Sequence, residues 1–318
     1  MSSRMRTAFS FGANRWDVTH RFETSWLLSP WALFACRALI SLYIFTTLFF
    51  IIGYTCANES LGGCADVRRS FSFFTVLTYW GLGFYFLVSA VHTGSYALTG
   101  RTLLNHHSIN TLLTTTNGGG GGGDSHGLPV SPLRRVLQAL HSLLYTTVVT
   151  LPFLVTIVYW AVLYRAPWFA LPFDAWHNVS QHALNSVFAA FEVVVARTEP
   201  MPCVHLLWLI LILLGYLAVA YITVATQGWY TYSFLNYRAV HGRGYVAAYI
   251  FGIAVGVVMV FLVVYGLIWL RRWLTEEKLG MRGKLAAANT TTTATTATPT
   301  PHQQHDLEAN AESNKAVR

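Results

Sequence analysis

The sequence predicts an all-α membrane protein with about six transmembrane helices in one bundle. Of its 318 residues 54% are hydrophobic and only 11% charged, whereas about a quarter of the residues of a soluble domain are charged. Apolar stretches of roughly 20 residues recur along the chain, each long enough to cross about 30 Å of hydrocarbon. Lysine and arginine collect on one side of any membrane those stretches would cross. The formal charge of +8 would direct a soluble chain toward nucleic acid. Here it follows from that sidedness, and no nucleic-acid-binding motif accompanies it.

Residues 1–32 are polar and basic and are read as a cytoplasmic segment without a cleavable signal. Trp26 and Trp31 stand where indole rings favour the membrane interface. The first span covers 33–54, and its one charge, Arg37, is near enough to the end to snorkel. Cys56 and Cys64 share the short polar loop that follows. They could pair if that loop faces an oxidising lumen, while a metal site there would need further ligands that the loop lacks.

The second span covers 73–98, so that 33–98 holds the first two helices. Residues 99–136 change character to threonine runs and six consecutive glycines at 118–123, a composition that builds no core and predicts a flexible cytoplasmic loop. Spans three to six occupy 137–273. The third, 137–164, carries Pro152 as a kink. The fourth, 176–197, carries His182, Asn185, Ser186 and Glu192, groups that hydrocarbon normally rejects. The fifth and sixth cover 205–226 and 245–270, the last with Gly252 and Gly256 as a close-packing pair. Residues 274–318 turn charged, then rich in threonine and proline, and are read as a disordered cytoplasmic tail.

With both termini on one side, that side holds 16 of the 21 lysines and arginines. The asymmetry predicts both ends in the cytoplasm. It also sets Thr75, at the start of span two, and His182, at the start of span four, at the same non-cytoplasmic depth. Sequons at Asn58 and Asn178 fall on that side.

Span four read as a helix, at about 100° per residue, has a narrow face of small and polar side chains. Ser186, Ala189, Val193 and Ala196 follow His182, with Asn185 and Glu192 at one edge. Helix packing alone accounts for such a face.

Certain runs carry more. Phe73, Phe74, Thr75, Val76 and Leu77 open an aromatic helix; Asn178 and His182 stand four apart; Glu192 is followed by Arg197 and Thr198. Gly228, Trp229, Tyr232, Phe234 and Leu235 come later. In order and spacing, over roughly half the chain, these resemble the androgen-induced transmembrane hydrolase family, which cleaves fatty acid esters of hydroxy fatty acids. The Arg-Thr pair is one residue further from the glutamate than in the family, and the last run has one residue more and lacks the family's proline.

The resemblance implies a threonine nucleophile at Thr75 and a histidine base at His182. A hydroxyl attacks poorly until a base takes its proton, and a neutral imidazole suits that task. Asn178, Asn185, Ser186 and Glu192 are the candidates for substrate-binding or supporting roles, with Asn178 or Asn185 as oxyanion donor. Membrane lipids and an acyl-ester substrate are the implied partners, and no metal or cofactor is called for. The implied location is the endomembrane system, the endoplasmic reticulum first, or the plasma membrane.

Alternatives remain at each point. Thr75 could simply bond to a backbone carbonyl, and Thr78 is a rival on nearly the same face. Glu192 could be structural. His92, His141 and His205 are expected near helix ends at the interface. Together with His182 they also permit a haem electron carrier, and a non-enzymatic scaffold or signalling protein is a further reading.

Overall fold

The computed structural model describes residues 19–100, 132–281 and 283–285. Every long element among them is helical. We number the helices α1 Pro30–Ala57, α2 Gly63–Ser70, α3 Phe74–Thr99, α4 Pro132–Val158, α5 Pro172–Val179, α6 Asn185–Val195, α7 Val204–Gln227 and α8 Arg243–Arg272. Three π turns extend or join them: Tyr159–Leu163 after α4, Ser180–Leu184 between α5 and α6, and Trp273–Lys278 after α8. Most of the predicted Thr- and Gly-rich loop and most of the predicted tail lie outside the described residues. The tail's start does not, and it continues the last helix as the third π turn.

Among the described residues five helical stretches are long and apolar enough to cross a membrane: α1, α3, α4 with its π turn, α7, and α8 with its π turn. The sixth predicted span is a continuous run, α5, π turn and α6, that the π turn divides. Large apolar side chains stand outward on the long helices, including Leu39, Phe251 and Met259, a surface that suits hydrocarbon rather than water. Helix is the form that satisfies its own backbone in such a solvent.

The closest pairing is α1 along α3. At Gly83 an added Cβ would come within 2.9 Å of Ile44, and at Gly94 within 3.0 Å of Phe34. Small residues thus let these two helices approach, as in other membrane bundles. The pair predicted on α8 behaves differently. An added Cβ at Gly256 would come within 3.4 Å of Leu154 of α4, whereas one at Gly252 would face open space.

Hydrogen bonds sort the helix ends into two groups. The starts of α1, α4 and α7 and the ends of α3, α6 and α8 meet in one buried polar layer. There Arg37 Nε and Nη2 donate to the two Glu192 oxygens, both at 2.8 Å, and Arg37 also reaches Thr93 and the carbonyl of Phe22. Tyr85 donates to Glu192 at 3.2 Å. Arg37 therefore does not snorkel. It is 1% exposed and points inward, because Glu192 of α6 stands at its level and a buried charge is tolerable when paired and hydrogen-bonded. His205 is likewise buried, bonded to Thr146 at 2.7 Å. His92 and His141 stack with ring centroids 5.3 Å apart. The interface role expected for these histidines gives way to packing inside this layer.

The same layer recruits residues before the first span. Glu23, Thr24 and Ser25 are fully buried, and Ser25 forms an antiparallel bridge with Ala196. The last carbonyls of a helix have no partners within it. On α6 they are taken by Trp26 Nε1 on Val194, by Ser25 Oγ on Val195 and by Arg271 on Val193 and Ala196. Arg21 forks onto Glu276 at 2.7 and 2.8 Å, and Lys284 N bonds to Ser25 O. Both ends of the described chain thus meet at one end of the bundle, and part of the predicted N-terminal segment is a docked structural element.

Candidate active site

The opposite end of the bundle holds a cavity of about 450 Å³, within the usual range for small-molecule sites. Thr75 and His182 both line it, with Val76, Tyr159, Asn178 and Tyr232. The depth match inferred from charge counting therefore corresponds to shared walls of one chamber.

Thr75 is the second residue of α3, whose cap position, Phe73, provides no side-chain cap. The amide of Phe74 is taken by the Tyr232 hydroxyl at 3.1 Å. The amides of Thr75 and Val76 have no acceptor among the described residues. They are the orphan donors that every helix start leaves, here at a cavity wall. Thr78, the rival hydroxyl, donates to the carbonyls of Phe74 and Thr75, both at 3.0 Å. It is the back-bonded threonine, and Thr75 makes no such bond among the described residues. Thr78 lines a different, outward space.

The Tyr232 hydroxyl lies against the Thr75 and Tyr216 side chains. Burial pushes its ionisation well above the ordinary tyrosine range, so it remains a neutral hydroxyl.

His182 is carried on the π turn Ser180–Leu184 and is 8% exposed. Its ring lies flat on Tyr159, centroids 3.5 Å apart and planes within 8°. Trp160 Nε1 holds its backbone carbonyl at 2.9 Å. Its Nδ1 is buried with no partner among the described residues. It differs in this from His205, whose ring is bonded into the packing. Tyr159 belongs to the π turn that ends α4, so two such turns meet at the chamber. Extra residues of this kind in a helix often accompany functional sites.

The supporting residues divide. Asn178 belongs to the chamber: its Oδ1 accepts from the Tyr159 hydroxyl at 2.7 Å and its Nδ2 donates to Asp174 O at 2.9 Å. It thus fixes the ring on which His182 rests. Asn185 and Ser186 face α4 instead. Pro152 lies inside that continuous helix; the Ser186 hydroxyl donates to Pro152 O at 3.1 Å, and Thr156 bonds to both residues. Glu192 lies in the other polar layer with Arg37. The oxyanion donors suggested by sequence, Asn178 and Asn185, are both committed elsewhere, whereas the Thr75 and Val76 amides of α3 stand open at the chamber wall.

Tyr159, Tyr232 and those amides escape a reading by sequence. Tyr232 does fall inside the run starting at Gly228, which was its only signal. At the loop end of the bundle, Cys56 and Cys64 are joined as a disulfide. No protein-family model, curated protein or solved structure matches this chain.

Proposed function

We propose that the protein is a multi-pass membrane hydrolase of lipid esters, with Thr75 as nucleophile and His182 as general base. The observation that carries this reading is that a threonine hydroxyl free of the usual back-bond and a histidine free of packing bonds line one chamber. Attack of Thr75 Oγ on the ester carbonyl forms the tetrahedral adduct as the proton passes to His182. That proton then goes to the departing alkoxide, leaving acyl-threonine and free alcohol. Water, deprotonated by His182, attacks the acyl carbon; Thr75 recovers its proton and the carboxylic acid departs. The Thr75 and Val76 amides are suited to receive the negative oxygen, since fixed donors aimed at developing charge are the strongest aid to acyl transfer. The resemblance to the androgen-induced transmembrane hydrolases narrows the proposal to fatty acid esters of hydroxy fatty acids.

The test is labelling by a fluorophosphonate probe in native membranes. Wild type should label, and Thr75→Ala and His182→Ala should not. Equal labelling of all three, or none, would count against an enzyme, and a Soret band would favour haem.

The same proposal sets the chamber end of the bundle in an oxidising lumen or outside the cell, with both termini cytoplasmic. The disulfide supports this, because such bonds persist in oxidising compartments, and so does the distribution of lysine and arginine. Asn58 stands in the disulfide loop with a sequon. An endoglycosidase shift present in wild type and lost in Asn58→Gln is the expected result; modification of that loop by a cytosolic, membrane-impermeant reagent would reverse the orientation.

A further inference from the structure

A second space reaches Thr75 from the side. Eighteen residues line it, around a volume of about 120 Å³. Its walls come from the start of α3, α4 with its π turn, α7, α8 and the turn Ser233–Leu235. Apart from the hydroxyls of Thr75, Tyr159, Tyr216 and Tyr232, every side chain lining it is apolar. Thr75, Tyr159, Leu163 and Tyr232 line both this space and the polar chamber, so they form the junction between them. Leu214, which also lines it, is 52% exposed on the outside of the bundle. The space therefore runs from the surface that faces hydrocarbon to the proposed nucleophile.

We infer that this side space receives the acyl chain of the ester, and that the polar chamber receives the alcohol part. The inference rests on the hydrolase reading. An acyl chain already lies in the bilayer, matches an apolar slot, and brings its carbonyl to the only hydroxyl shared by both spaces that the reading makes a nucleophile. The alcohol part departs as a hydroxyl and takes its proton from His182, which lines the polar chamber and not the slot. The outward space of about 310 Å³ beside Thr78 and Gly81 does not include Thr75, and it is the natural control.

The test compares kcat/KM for p-nitrophenyl palmitate and p-nitrophenyl butyrate with purified protein. Ala254 of α8 lines the slot, and Leu217 faces it from α7. Ala254→Phe and Leu217→Phe should each lower the palmitate-to-butyrate ratio by about tenfold or more, since pocket fit to apolar chains discriminates on that scale. Gly81→Leu, whose new side chain meets nothing within 4 Å at its Cβ, should leave the ratio unchanged. Either phenylalanine variant alone suffices if the other fails to fold. A ratio unaltered in a folded variant, or lowered equally by Gly81→Leu, overturns the assignment while leaving the hydrolase intact. Wild type inactive on both esters overturns the hydrolase reading itself, and the assignment with it.

Discussion

Thr75→Ala is expected to reduce cleavage of a lipid ester to background, and His182→Ala to slow it by about 10²- to 10⁴-fold, the usual worth of a positioned base. The two losses should not add. In the proposed mechanism each side chain acts only through the other, and removing one member of such a unit costs nearly as much as removing both. The double variant should therefore match Thr75→Ala alone. Thr75→Ser keeps a hydroxyl at the same helix start and should retain measurable turnover. Thr78→Ala should be close to wild type, because its hydroxyl is spent on the carbonyls of Phe74 and Thr75. Rates measured in detergent for these five proteins decide the matter. A dead Thr78→Ala beside an active Thr75→Ala would transfer the nucleophile to Thr78.

Glu192→Ala is expected to cost about 3–5 kcal/mol of stability, the usual penalty for breaking a buried pair and leaving its partner charged and alone. Arg37 is 1% exposed and Glu192 fully buried, with paired bonds of 2.8 Å. Thermal denaturation followed by size-exclusion chromatography would show the loss. The combined change Arg37→Met with Glu192→Leu should recover much of it, since apolar replacement of both partners removes the desolvation penalty along with the attraction. A double variant no better than Glu192→Ala would mean that Thr93, Tyr85 and the Phe22 carbonyl, rather than the pair, set the energy. Neither variant touches the chamber, so residual folded protein should still take the fluorophosphonate label.

The bundle was legible from sequence because a bilayer demands long apolar helices, and the runs are unmistakable. Thr75 and His182 were legible as neighbours in depth because charge sidedness orders helix ends. What sequence could not convey is which faces meet. Arg37 and Glu192 are 155 residues apart, and nothing local to either marks the other. Asn185 and Ser186 looked like site residues because periodicity reports a polar face without naming what lies opposite, which is the Pro152 carbonyl of α4. The π turn Ser180–Leu184 inserts extra residue into that helix, so a strict 100° projection from His182 drifts. Thr75 and Thr78 were separable only by seeing which hydroxyl bends back to its own helix.

The carbonyls that end α6 have a consequence for biosynthesis. They are satisfied by Trp26, 168 residues before its acceptor, and by Arg271, 78 residues after. Hydrocarbon offers no substitute donors. While the ribosome is still making the last span, the helix that follows His182 lacks part of what completes it. A chain truncated before Arg271 keeps both proposed catalytic residues yet lacks the donor that finishes the end of α6, so a finished fourth span arrives with the final span rather than with the residues proposed for the chemistry.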